Sequence, residues 1–185
     1  MFFRIRRHCS TLPIICCEKP KDAERIKTAV IKRLAKYNLK LNSEKTKLVK
    51  FNVLERGIRG SFDFLGFTFY LGRTRSGATV PKLKSSGKKL RAKLTKVNQW
   101  CKHNRSKAPL RELWKTFCSK LKGHIQYYSV SFNYRAVHKF VMRSQRIFLK
   151  WLNRRSQKKS MTIKQFEKFK QRFLPPAIKI CHALF

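Results

Sequence analysis

Acidic side chains are what this chain has least of. Of 185 residues only 8 are Asp or Glu, against 46 Lys and Arg. Two of the acids are aspartates, Asp22 and Asp63, and neither is flanked by another acid. Chemistry that gathers several carboxylates around divalent ions is poorly supplied by such a sequence. Long apolar runs are missing as well. LPIICC, near the N-terminus, is shorter than a signal-peptide core, no small-residue cleavage site follows it, and nothing approaches the length of a membrane span. No membrane partner is expected, and the expected location is cytoplasmic. The cysteines (Cys9, Cys16, Cys17, Cys101, Cys118, Cys181) form no CxxC pair, which zinc ribbons and fingers require. They read as ordinary reduced thiols, and no metal or cofactor of the chain's own is expected.

What the chain does have is positive charge and phenylalanine. The net charge is +38, and a compact body so charged repels itself unless a polyanion neutralises it. Nucleic acid is the natural partner, ahead of an anionic membrane surface. With 42% apolar residues and 15 Phe the chain can build a core, so wholesale disorder is not expected.

The patterns predict an α+β, mostly α protein in two parts. Ala23, Ile26, Val30, Leu34 and Tyr37 share one face of a helix running from Lys21 to Asn38. KLVKFNVL reads as a strand and ERGIRG as a turn. In SFDFLGFTFYLG, Phe62 and Phe64 alternate, Phe67, Phe69 and Leu71 alternate, and the two sets are out of phase. One extra residue near Leu65–Gly66 would realign them, which predicts a β-bulge. RTRSGATV reads as a hairpin tip leading to a strand that ends near Pro81. Thereafter the spacing is helical. Stripes run through Leu90, Leu94, Val97 and Cys101; through Leu110, Leu113, Phe117, Leu121, Ile125 and Tyr128; through Tyr134, Val137, Val141, Phe148 and Leu152; and through Ile163, Phe166 and Phe169. Residues 1–83, one helix plus short antiparallel strands, hold 19 basic and 6 acidic side chains; the helical residues 84–185 hold 27 and 2.

Within the helical part, Arg135, Lys139, Arg143, Arg146 and Lys150 follow one another at spacings of 4, 4, 3 and 4, opposite Val137, Val141 and Phe148. Solvated helix faces usually mix both signs, yet no acid lies between Arg135 and Lys159 to pair at i,i+4. The stripe reads as an RNA contact. Tyr127 and Tyr128 precede a loop, where stacking on bases and core packing both remain open. Trp100, Trp114 and Trp151 read as core. His103, His124 and His138 lack ligand-spaced partners and receive no chemistry. Asp22, at a helix start, reads as a cap.

Taken in order, LKLNSEKTKLV, FDFLGF, GHIQYYSVSFNYRAVHKF, WLNRRSQKKSMT and LPPAIKICHALF resemble the C-terminal part of a group II intron reverse transcriptase/maturase, from about Glu18 onward. The resemblance implies that residues 1–83 are the truncated end of the polymerase palm and that 84–185 are the thumb, or maturase-specific X domain. FLGF would be the primer grip, with Phe64, Leu65, Gly66 and Phe67 carrying a backbone that comes close to the nucleic acid strand. Arg154, Arg155, Lys158 and Lys159 could pass for a nuclear-import signal, but the resemblance sets them in the RNA-binding domain. Lys45 would lie near an incoming nucleotide. The family's activity is RNA-directed DNA polymerisation with Mg²⁺, held at a Tyr-Ala-Asp-Asp motif that should precede IICCE. RIRRHCSTLPIICCE has no acid before Glu18, so no catalytic residue is assigned and the chain alone is not expected to be an enzyme. The expected function is binding of structured, intron-type RNA, with help to splicing. Rival expectations are a polymerase active only with a separate N-terminal half, a generic ribosomal-like basic protein, and a frameshifted or degenerate product whose first 80 residues do not fold alone.

Overall fold

The computed structural model describes residues 5–6, 14–41, 46–49, 60–155 and 160–183. Five helices and two small sheets are described, so the architecture is α+β and mostly α. Contacts divide the chain into residues 1–61 and 62–185. The division falls ahead of the Phe-rich strands, whereas the change of pattern sets the expected boundary behind them, at 83/84. The physical reason is that these strands are bonded to the helices that follow, as described below.

In the first unit, β1 (Ile5–Arg6) pairs antiparallel with β2 (Lys40–Leu41). Between them runs α1 (Pro20–Ala35), with Pro20 in the first turn, where its missing N–H costs nothing. Its N-cap is Lys19, which supplies no side-chain bond, so the reading of Asp22 as a cap is corrected. Asp22 lies inside the first turn and complements the positive end of the helix, as Lys32 and Arg33 complement the other end. The helix stops short of the expected Asn38. Asn38 takes a left-handed φ of 53°, and Tyr37, beyond the last turn, is 68% exposed rather than part of the apolar face. Lys45 and most of the strand and turn expected over 47–60 lie outside the described residues.

The second unit opens with a sheet of order β3-β4-β5: β3 (Ser61–Phe64), β4 (Phe67–Arg73) and β5 (Thr79–Ser85). The predicted bulge is a turn instead. Leu65 (φ 47°) and Gly66 (φ 87°) are both left-handed, the two-residue connection whose twist suits a β-hairpin. A chain reversal resets the two-residue alternation just as an inserted residue does, so the pattern alone cannot separate them. Phe62 stacks on Phe69 at 5.1 Å and Phe64 lies 6.4 Å from Phe69, which puts the two out-of-phase sets on one face. β5 continues through Pro81, opposite Leu71, to Ser85. It is an edge strand, where a residue without an N–H is tolerated.

Gly66 has a second reason to be glycine. A Cβ there would lie 2.5 Å from the Tyr128 hydroxyl oxygen, and Tyr128 is buried. Gly66→Ala is expected to destabilise the unit by about 1–3 kcal/mol, through strain at positive φ together with this clash. Urea unfolding reads the loss. Pairing the change with Tyr128→Phe should recover the clash but not the strain; full recovery, or no loss at all, would contradict the geometry.

The helices are α2 (Gly87–Asn104), α3 (Leu110–Tyr128), α4 (Tyr134–Leu152) and α5 (Ile163–Arg172). The core is built from α3 (Leu113, Trp114, Phe117, Leu121, Ile125, Tyr128) and α4 (Val137, Phe140, Val141, Phe148, Trp151). Cys101 of α2 and Phe166 of α5 complete it, and Trp100 packs at its edge. Two stripe residues prove peripheral: Tyr134 is 46% and Ile163 71% exposed, each at the first position of its helix, where a side chain projects past the end of the packed face. Thr162 caps α5 reciprocally with Gln165, and Asn153 exchanges two hydrogen bonds with Met161, closing the connection from α4. The chain then returns along α3. Ser129 O accepts from Cys181 N at 2.7 Å, and His182 O accepts from Ser131 N at 3.2 Å.

Candidate nucleic-acid interface

The basic stripe forms as a single face because α4 is regular from end to end and strongly two-sided. Val137, Phe140, Val141, Ser144, Phe148 and Trp151 are buried on one side. Arg135, Lys139, Arg143, Arg146 and Lys150 are all exposed on the other. Among the described residues one ion pair forms, Lys170–Glu167 on α5 at 2.8 Å, so the α4 cations have no anionic partner there. Such a row can lie along a phosphate backbone and displace its counterions.

At the C-terminal end of α4 the row meets a second group. Lys150 Nζ and the guanidinium carbons of Arg154 and Arg105 lie 5.8, 5.0 and 5.4 Å from the centre of the Trp151 ring. Cation–π attraction holds them in place, while Trp151 donates its indole N–H to Asn98 Oδ1 at 2.8 Å. Arg155 is less available, because its Nη2 donates to Ala108 O at 3.0 Å. Lys158 and Lys159 lie outside the described residues. Sequence reading missed Arg105. The available signal was a cation just beyond the last turn of α2, in HNRSK, but nothing in the sequence shows that this turn meets Trp151.

Tyr127 is half exposed, yet it is tied to the hairpin. Its hydroxyl donates to Leu65 O at 2.9 Å and its ring stacks on Phe67 at 5.9 Å. Gly66 O accepts from Ser86 N at 2.9 Å. Both carbonyls of the Leu65–Gly66 turn are therefore engaged within the protein. Phe64 and Phe67 are half-buried, Phe67 lying 5.0 Å from Tyr128. The close approach that requires Gly66 comes from Tyr128, a signal that glycine alone does not specify. Lys93 sits 4.2 Å above the Tyr128 ring, and burial, reinforced by Lys96, lowers its pKa.

The remaining candidates for chemistry are structural. Asp63 accepts hydrogen bonds from the Thr68 hydroxyl and, at 3.0 Å, from Ser86 Oγ, joining two strands to the start of α2. No three His, Cys, Asp or Glu side chains come together among the described residues. A two-ion site needs converging carboxylates, and Asp63, with its oxygens on two hydroxyls, does not fit one. Burial pushes the Cys101 thiol up to about 12 and that of Cys118 to about 11, which leaves neither a nucleophile near neutral pH. His124, given no role by the sequence, is buried between Phe140 (3.6 Å) and Tyr128 (4.6 Å), with neither ring nitrogen hydrogen-bonded among the described residues. No helix among the described residues is long and apolar enough to cross a membrane. Comparison with family models, with curated proteins and with solved structures finds no match.

Proposed function

We propose that this chain binds structured RNA of the intron type along the outer face of α4, and that it acts in RNA folding or splicing rather than in strand extension. The observation that carries the reading is the run of exposed cations from Arg135 to Lys150, with no acid on the same helix. The group around Trp151 prolongs that face to Arg154 and Arg105. The resemblance of the sequence to the thumb of group II intron maturases supports the choice of RNA among polyanions. Binding through phosphates and the wide minor groove of A-form RNA follows from the charge.

Binding measured against salt tests this reading. Lys139→Ala, Arg143→Ala and Arg146→Ala combined should lower the slope of log K against log salt by about 2–3, since each phosphate contact contributes ~0.7–0.9. The fold should be untouched, because all three side chains are exposed. Folded intron RNA should be preferred to ribosomal RNA and duplex DNA at moderate salt. Equal binding to all three would favour a generic basic protein, and an unchanged slope would remove α4 from the interface.

A further inference from the structure

Three cations from two helix ends converge on the Trp151 ring. Arg105 is the C-cap of α2, Lys150 lies in the last turn of α4, and Arg154 follows just beyond that helix. Their charged groups stand 5.4, 5.8 and 5.0 Å from the ring centre. The ring itself is fixed, 7% exposed and bonded through its indole N–H to Asn98. Along the outer face of α4 the cations are instead drawn out, about one to each turn.

Local structure does not account for so much charge in one place. Each helix C-terminus carries about half a negative charge, so the two together offset about one cation and leave an excess of about two. Among the described residues no acid pairs with any of the three, and none of them donates a hydrogen bond. Arg105 is half-buried, yet its five N–H donors have no acceptor among those residues. The nearby Arg155 shows the contrast, since its Nη2 donates to Ala108 O at 3.0 Å.

The hollow beside the ring, lined in part by Trp100, Asn104, Arg105 and Leu152, has a volume of about 10 Å³. That is room for about one water and for no base. The place offers charge and donors, which suit a phosphate. An internal phosphodiester brings one negative charge, whereas a terminal phosphate monoester brings about 1.5–2 and three acceptor oxygens. The monoester matches the excess and can meet cations on three sides.

We infer that Arg105, Lys150 and Arg154 seat a terminal phosphate of the RNA held along α4, an inference that rests on the RNA-binding reading above. Internal phosphates then follow the row from Arg146 toward Arg135, which sets one end of the RNA at the C-terminal end of the helix.

The test uses the full chain and one RNA hairpin in four forms: hydroxyl-ended, 5′-phosphorylated, 3′-phosphorylated, and hydroxyl-ended but two nucleotides longer. The last form matches the charge of a terminal phosphate with two internal ones. Wild type should bind at least one phosphorylated form about tenfold more tightly than either hydroxyl-ended form, the scale of one added charge-assisted contact. Arg105→Gln combined with Arg154→Gln, which removes both charges, should abolish that preference, and Arg154→Lys should keep it. The combined alanine variant at Lys139, Arg143 and Arg146 should weaken binding of every form and preserve the ratio. If the double variant fails to fold, Arg154→Gln alone, at an exposed position, should cut the preference about threefold or more. A preference that survives these changes overturns the inference, as does a longer hydroxyl-ended hairpin that binds as tightly as the phosphorylated ones. Equal binding of all four forms overturns it too and leaves the RNA-binding reading standing; binding of none overturns both.

Discussion

Trp114→Ala should cost the helical unit about 4 kcal/mol, within the ~3–5 kcal/mol range for removing a buried large aromatic. Trp114 is 3% exposed, and its ring centre lies 5.5 Å from Phe117, 5.3 Å from Phe148, 5.8 Å from Phe166 and 5.4 Å from Phe169. These partners belong to α3, α4 and α5, so one side chain joins three helices. Its Nε1 also donates to Phe173 O at 2.9 Å, fixing the chain where it leaves α5. Truncation opens a cavity and leaves that carbonyl without its donor, and the two losses add. Against a total stability of ~5–15 kcal/mol for a domain, this is a large fraction. The midpoint of urea unfolding should fall steeply with its slope unchanged. Trp114→Phe should lose much less, because the three edge contacts, to Phe148, Phe166 and Phe169, can survive in part. A loss below ~1 kcal/mol for the alanine variant would mean that α5 is not packed as described.

Acid should destabilise the same unit through one histidine. Burial, and secondly the charge of Lys93, lowers the His124 pKa from 6.5 to about 3. The imidazole is neutral in both states above about 6.5, and there it has no effect on the balance. As pH falls below that value the unfolded chain takes up a proton that the folded protein refuses, so stability declines until about pH 3 and then levels off. At about 1.4 kcal/mol per unit, the full excursion is ~5 kcal/mol. In most proteins paired carboxylates dominate acid unfolding, but with 8 acids in the whole chain they contribute little here. His124→Phe keeps a ring between Phe140 and Tyr128 and removes the titration. Its stability should be nearly level between pH 6.5 and 4, where wild type declines. Parallel declines in the two proteins would assign the acid effect to another group.

The helical half was legible because periodicity is a local property. The stripes through Leu113, Phe117, Leu121 and Ile125, and through Val137, Val141 and Phe148, are set by the turn of the helix and need no knowledge of what they pack against. The exposure of Arg135, Lys139, Arg143, Arg146 and Lys150 followed as the complement of the buried stripe. Reading failed where two local structures share one pattern. A bulge and a tight turn both shift the alternation at Leu65–Gly66, and only the pairing of β3 with β4 tells them apart. It also failed where helices end: Tyr37, Tyr134 and Ile163 keep the period but stand exposed rather than in the core.

By itself, then, the sequence determined the helix count after Pro81 and which faces of those helices turn inward. Those depend on composition and on neighbours a few residues away. The tertiary structure alone decided that Gly66 makes room for Tyr128, that Arg105 and Arg154 meet at Trp151, that His124 is buried between Phe140 and Tyr128, and that Asn133 bonds to Ser85. Each of these depends on atoms brought together from distant points in the chain, and no spacing along one segment encodes which segment will lie against it.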